Sequence, residues 1–344
     1  MSAGSANLIG LRVVLRRRAG VRDGRVVYSD VLGQLVGVAG GVLSVRRDDG
    51  STVTVAAEDV HRLRAVPPGR AEIIALEEVA ARGWPAPETA RLGSWLLRAG
   101  EGWTRRANSA LLLGEPGMPV PAALDRVRSW YTARALPAVL AIPLPAQAPA
   151  DHTAARLGWV VDVETEVLTA PITSARVTSA QVTPAQVTPA RVTSAPAAAT
   201  SGPLDPAEPA AGDPGVLLSG TLSPQWEAVY RARTVPPVGR RILAGPATVT
   251  FASIELDGTT VAIGRGVVVQ DWLGVAAVEV LPGYRRRGLA GRLTGGLFGW
   301  GAAHGARRCY VQAEAANAPA LGLYASLGFT RHHRYRNRVA PGSR

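Results

Sequence analysis

The chain has 344 residues, 47% of them hydrophobic, with a formal net charge of +12. Such length and apolar content suit two or three folded domains and exclude a wholly disordered protein. A single cysteine, Cys309, excludes a disulfide framework or a Cys-based zinc site within the chain, and no apolar run approaches the ~18 residues that cross a bilayer. The first ten residues lack a basic start followed by an apolar stretch, so a cytoplasmic protein with no membrane partner is expected. All 38 basic residues are Arg. That excess fits a polyanion such as nucleic acid or a nucleotide coenzyme, and fits equally the Ala-, Gly-, Val- and Pro-rich composition around it.

Residues 1–68 hold short β-type runs at 11–15, 31–38, 42–45 and 52–55, with Asp48-Asp49-Gly50 as a hairpin turn. They predict a small all-β, SH3-like barrel. Arg16, Arg17 and Arg18 form a basic strand edge that either contacts phosphates or keeps the edge solvated.

Residues 69–171 change character. Ile73, Leu76, Val79 and Ala80 recur at helical spacing, as do Leu124, Val127, Tyr131 and Ala135, and strands are predicted at 94–98, 107–113 and 138–142. A short helix leads to Leu157-Gly158-Trp159. On the next strand Val161, Val163, Thr165 and Val167 alternate with Asp162, Glu164 and Glu166. From 172 to 215 the chain falls into a five-residue Val-Thr repeat with frequent Pro, which cannot bury enough to offset its ordering entropy and is expected to be a disordered linker.

Residues 216–344 are expected to form a further α/β unit. Ser223-Pro224 starts a helix carrying Trp226, Val229 and Tyr230, and a hairpin turns at Asp257-Gly258. An apolar strand over 275–281 then passes through a basic, glycine-bearing turn into a helix with Leu289, Leu293, Leu297 and Trp300 on one face. A strand–turn–helix of this kind is an anion site, because the helix N-terminus offers unsatisfied N–H groups and a favourable dipole. A strand at 308–314, a helix at 317–327 and a basic strand at 329–338 complete the unit.

Val278-Glu-Val280-Leu-Pro282-Gly-Tyr-Arg285-Arg-Arg-Gly288-Leu-Ala290, followed by Asn317-Ala-Pro-Ala320-Leu-Gly-Leu323-Tyr324-Ala-Ser-Leu-Gly328-Phe329, resembles the two signature motifs of the GCN5-related N-acetyltransferase (GNAT) superfamily. The resemblance covers 216–338. It implies acetyl-CoA as co-substrate and no metal, with the pyrophosphate held by Arg285, Arg286, Arg287, Gly288, Leu289, Ala290 and Gly291. It also implies that the main chains of Val278 and Val280 bond the pantetheine arm, the Val280 N–H polarising the thioester carbonyl. Asn317 would help to fix the cofactor, and Tyr324 would protonate the departing thiolate. For the base that takes the amine's proton, Glu279 is the first candidate, Glu314 the second and Asp271 a weaker third.

The order of elements in 69–171 parallels that in 216–344, Leu157-Gly158-Trp159 standing where Leu327-Gly328-Phe329 stands. In that comparison Ala154 replaces Tyr324, Gln147 replaces Asn317, and Gly114-Glu-Pro-Gly-Met-Pro-Val-Pro replaces the basic loop. The implied fold is α/β (α+β), a tandem GNAT-like acyltransferase with a degenerate first half behind the barrel, a layout similar to an actinobacterial group of the superfamily. Arg105, Arg106 and Asn108 either face the substrate channel or cap a strand. The expected function is acetyl-CoA-dependent N-acetyl transfer to an amine, of a small molecule or a protein, by direct attack in a ternary complex. The competing expectation is a regulatory protein that binds nucleic acid or senses acyl-CoA without turnover. Neither the acceptor nor the oligomeric state is legible.

Overall fold

The structure, a computed structural model, describes residues 8–47, 49–172, 182–184, 215–230 and 234–342. Asp48 and most of the repeat segment lie outside the described residues.

The N-terminal unit is a five-stranded antiparallel sheet of order β4-β3-β2-β1-β5. Its strands are β1 (Arg12–Arg22), β2 (Arg25–Ala39), β3 (Val42–Arg46), β4 (Thr52–Ala56) and β5 (Val60–Ala65). Val13, Leu15, Val31, Leu35, Leu43, Val45 and Val55 form its core. The β1–β2 hairpin runs beyond the apolar pattern to a tight turn at Asp23-Gly24, where both residues have positive φ (50° and 73°). The expected basic edge is corrected here. β1 lies between β2 and β5, with Arg16 opposite Asp30 on one side and Arg62 on the other. Asp30 holds Arg16 in a two-bond pair at 2.9 and 3.0 Å.

Among the described residues, the remaining strands form one sheet of twelve. Its first half contains α1 (Arg70–Gly83), β6 (Glu88–Leu92), β7 (Trp95–Ala99), β8 (Ala110–Leu111), α2 (Val120–Thr132), β9 (Val139–Leu144), α3 (Ala148–Arg156) and β10 (Val160–Pro171). The strand expected over 107–113 shrinks to two residues because Asn108 folds the preceding loop around itself. Its side chain accepts from the N–H groups of Gly100 (2.8 Å) and Gly102 (3.0 Å) and donates to the carbonyls of Trp103 and Thr104. A short β11 (Val182–Pro184) within the repeats pairs with β12 (Val216–Ser219) at the sheet edge, the one place in a sheet that tolerates such Pro-rich sequence.

The second half continues with α4 (Pro224–Val229), α5 (Pro237–Ala244), β13 (Val249–Leu256), β14 (Thr259–Val269), β15 (Trp272–Val280), α6 (Leu289–Ala303), β16 (Arg308–Glu314), α7 (Ala318–Ser326) and β17 (Thr330–Val339). Ser223 caps α4, its hydroxyl accepting from the Trp226 N–H at 3.2 Å. Leu289, Leu293 and Leu297 of α6 are buried against Leu273, Val275 and Val311, each stabilising by about 2 kcal/mol on burial.

Strand order β15-β16-β10-β17-β9 shows that the halves exchange their last strands. β10 of the first half lies between β16 and β17, while β17 of the second lies between β10 and β9. Arg334 pairs with Glu164 and Glu166, Arg336 with Glu164 and Asp151, and Arg338 with Asp151 at 2.7 Å. The acidic stripe of β10 and the basic closing strand are thus two sides of one ladder. Burial opposes ionisation of Asp151, but hydrogen bonds and charge from Arg338, then Arg336, outweigh it and hold the carboxyl below its ordinary value.

Candidate active site

β15 and β16 run parallel and paired from Trp272/Arg308 to Val275/Val311, and there the pairing stops. A bulge explains the divergence. Glu279 faces Ile263 on β14, yet Ala276 faces Arg265, so β15 carries an extra residue around Ala277, which has φ of +54°. β16 meanwhile stays bound to β10 as far as Glu314/Thr165. The two strands open like a V, and a cavity of about 1040 Å³ fills the opening.

One limb of the V leads to the basic loop. The Leu281 N–H donates to the Val261 carbonyl on β14, so strand alternation turns the main-chain groups of Val280, and of Val278 two residues earlier, toward the gap. Past Val280 the chain makes a turn at Pro282–Tyr284 and reaches α6 through Arg286 (φ 61°) and Gly288 (φ 76°). Gly288 is the N-cap of α6 and gives it no side-chain cap. The first helical bond is donated by Arg292, which leaves the N–H groups of Leu289, Ala290 and Gly291 without partners inside the helix. A Cβ built on Gly288 would meet open space, so an anion has room to approach. This cradle fits a pyrophosphate.

Arg285 and Arg286 line the cavity. Arg285 also donates from Nε to the Val280 carbonyl at 3.1 Å, fixing the loop against the strand. Arg287 does not line it. Its guanidinium turns back to the Gly283 carbonyl (3.2 Å) and lies 5.3 Å from the centre of the Tyr284 ring.

Asn317 and Tyr324 come in from α7. Asn317 Oδ1 accepts from the Ala320 N–H at 3.1 Å, so the residue is the cap of the helix as well as a wall of the cavity. Tyr324 is buried, its ring edge-on to Phe329 at 5.3 Å. Burial, with a smaller effect from Cys309, raises its pKa far above the ordinary phenol value, so its hydroxyl keeps a proton to donate.

Of the candidate bases, Glu279 lines the cavity on β15, half-buried. Glu314 lines it too, but its side chain is 60% exposed and Arg105 lies 3.6 Å away. Asp271 is excluded by position. It precedes β15 at the far end of the strand, bound to Arg308 at 2.9 and 3.0 Å. Cys309 is fully buried in the core.

The opposite wall comes from the first half. Arg105 and Arg106 line the cavity, whereas Asn108 is the loop clamp described above. Arg106 lies 5.2 Å from the Trp84 ring centre, and Arg105 is held by Asp162 at 2.9 Å. Arg98 is buried, with its Nε on the Ser109 carbonyl and its Nη2 on the Ser109 hydroxyl. Arg265, also buried, has its pKa pushed down to about 10 by burial; it donates to the carbonyls of Leu243 (2.8 Å) and Gly83 (3.1 Å), tying β14 to the end of α1. Glu77 of α1 faces the cavity although it is only 3% exposed. Sequence reading passed over it, yet a signal was present: a carboxylate beside Leu76 and Ala80, on the stripe that otherwise marks a buried face.

A family model described as "Probable histone acetyltransferase Rv0428c C-terminal" matches residues 70–198 and 203–338. A protein of Mycobacterium tuberculosis named probable histone acetyltransferase Rv0428c is 28% identical over 340 residues, 95% of this chain and 94% of its own length. The uncharacterized N-acetyltransferase YobR of Bacillus subtilis is 24% identical over 269 residues, covering 77% of this chain and 98% of that protein. A solved GCN5-related N-acetyltransferase from Kribbella flavida superimposes with a TM-score of 0.53 at 19% identity, over 79% of this chain and 96% of that one, which speaks for the fold. With the family model spanning both halves, the chain belongs to the Rv0428c C-terminal family of GCN5-related N-acetyltransferases.

Proposed function

We propose that the chain transfers the acetyl group of acetyl-CoA to a primary amine by direct attack, both substrates being bound together. The observation that carries this reading is the V between β15 and β16, which joins an uncapped helix N-terminus at its mouth to the buried hydroxyl of Tyr324 inside. The N–H groups of Leu289, Ala290 and Gly291, with Arg285 and Arg286 beside them, would hold the pyrophosphate. Val278 and Val280 would bond the pantetheine arm through their main chains. Bound acetyl-CoA supplies an activated thioester.

Tyr324 holds a proton for the departing sulfur, and the apolar residues packed around it keep water from competing. The first half forms the acceptor side through Trp84, Arg98 and Arg106. Lysine side chains of basic proteins are the first acceptors to test, because the Mycobacterium tuberculosis relative is named for histones. The test is thiol release from acetyl-CoA across classes of amine: protein lysine, peptide N-terminus and small polyamine. The expected result is release that depends on the amine. Tight acetyl-CoA binding without release from any class would point instead to a sensor.

A further inference from the structure

Among the described residues, Glu77, Glu279 and Glu314 are the carboxylates lining the cavity, and Glu77 sits deepest, its side chain 4% exposed. It lies at the closed end of the V. Gln312, the residue after the last paired position of β16, donates from Nε2 to Glu77 Oε1 at 3.3 Å. The Gln312 carbonyl oxygen beside it is buried with no hydrogen-bond partner among the described residues, an acceptor that an ammonium N–H would satisfy.

Behind Glu77 stand two histidines on one side of β17. Val167 faces His333 and Leu168 faces Arg331, so His332 is an extra residue in the strand and the alternation of sides is broken. The Nδ1 atoms of His332 and His333 are 2.8 Å apart, and His333 Nε2 is 2.9 Å from Glu77 Oε1. Burial, then His333 and Arg308, pushes the pKa of His332 down to about 3, so its ring is neutral at physiological pH. A neutral His332 donating from Nδ1 leaves His333 to accept at Nδ1 and donate from Nε2 to the carboxylate. Arg98 on β7 and Tyr310 on β16 also lie within electrostatic reach of Glu77, and Arg106 and Tyr335 line the same cavity.

We infer that Glu77, contributed by the first half, is the general base for transfer by the second half, with His333 and His332 as the positioning row behind it. The inference rests on the acetyltransferase reading above. The acceptor enters as an ammonium and its nitrogen loses two protons. Glu77 takes the first and passes it to solvent, the nitrogen lone pair forms the bond to the acetyl carbon, and the carbon–sulfur bond breaks. The second proton replaces the one that Tyr324 gives to the sulfur, so an amide, a thiol and one free proton result.

The experiment measures amine-dependent thiol release by the parent and by Glu77→Gln from pH 6 to 10, with acetyl-CoA affinity by calorimetry and melting temperature alongside. The expected result is an unchanged acetyl-CoA affinity and a kcat lowered about 100-fold or more near pH 7. The loss should narrow as pH rises toward ~10, where the amine sheds its own proton. Glu77→Asp, which keeps a carboxylate, should recover part of the rate and the parent's pH profile. A Gln variant within threefold of the parent, a loss equal at every pH, or an Asp variant no better than Gln would overturn the assignment. Absence of release by the parent with every amine would end the acetyltransferase reading and the base with it; release by parent and Gln variant alike would end the base alone.

Discussion

The two halves of the large sheet share a frame and differ in what hangs on it. α3 and α7 are each nine residues long, each begins with Pro in its first turn, and each closes on a left-handed glycine, Gly158 or Gly328. The closing hydrogen bonds match: Trp159 N–H to the Ala154 carbonyl at 3.0 Å, and Phe329 N–H to the Tyr324 carbonyl at 2.9 Å. Ala154, fully buried, stands where Tyr324 carries its hydroxyl. Gln147 stands where Asn317 caps its helix, but makes no cap, and its side-chain amide nitrogen is buried with no hydrogen-bond partner among the described residues. β8 pairs in parallel with β9 through two positions, and Pro119 and Pro121 open α2 where glycine opens α6. Packing therefore preserves the frame of the fold, while the anion cradle depends on a few donors that proline and a shortened strand remove. The first half instead contributes a wall of the cavity, the side proposed for the acceptor.

The sharpest way to break this comparison is to separate the halves. Residues 216–344 expressed alone lack the strand that fills the space between β16 and β17, and they should show no cooperative thermal transition by circular dichroism. A well-folded fragment would mean that exchange is dispensable.

A smaller effect is expected at the ladder. Asp151→Asn leaves the buried Arg338 without its carboxylate and Arg336 with Glu164 alone, and should cost about 3 kcal/mol in urea unfolding. Because the folded pKa of Asp151 is depressed, its contribution should be complete above the unfolded value of about 4 and fade as pH falls through the lower folded value. A parent–variant difference that grows in acid would contradict the ladder.

Tyr324→Phe should lower turnover about 100-fold and leave acetyl-CoA affinity unchanged by calorimetry. Equal turnover would return Tyr324 to a packing role and make it the true counterpart of Ala154. Finally, Gly288→Asp should weaken acetyl-CoA binding about tenfold by placing a negative charge at the helix N-terminus, whereas Gly117→Asp, in the corresponding turn of the first half, should leave it unchanged. Equal effects at both turns would mean that the silent half also binds coenzyme.

Much of the second half was legible because its elements announce themselves: 308–314 is a strand to the residue, and the Ser223 cap and the turn at Asp257-Gly258 fall where local chemistry puts them. The β1–β2 hairpin runs past what its sequence pattern predicts, because residues 16–30 are exposed apart from the half-buried Arg17 and Ser29 and carry no apolar alternation. β6 carries no pattern for a similar reason, three of its five residues being exposed and the other two half-buried. The acidic alternation of β10 was visible, but its partner was not, since Arg334, Arg336 and Arg338 lie in the other half. Glu77 was hidden by the same cause. A carboxylate on an apolar stripe declares a site only when His333 and Gln312 are brought to it from far along the chain.

The exchanged strands also set an order of events. Val160 rests against Val339 and Thr165 against Glu314, so strand β10 waits on the ribosome until almost the whole second half has been made. These are contacts of high sequence separation, which close slowly and leave strand edges exposed in the interval. The acidic alternation of β10 then serves a second purpose: its like charges discourage pairing with a neighbouring nascent chain until the arginines of β17 arrive. Completion of the shared sheet then waits for β17, and a chain cut short of that strand carries no half-built cavity.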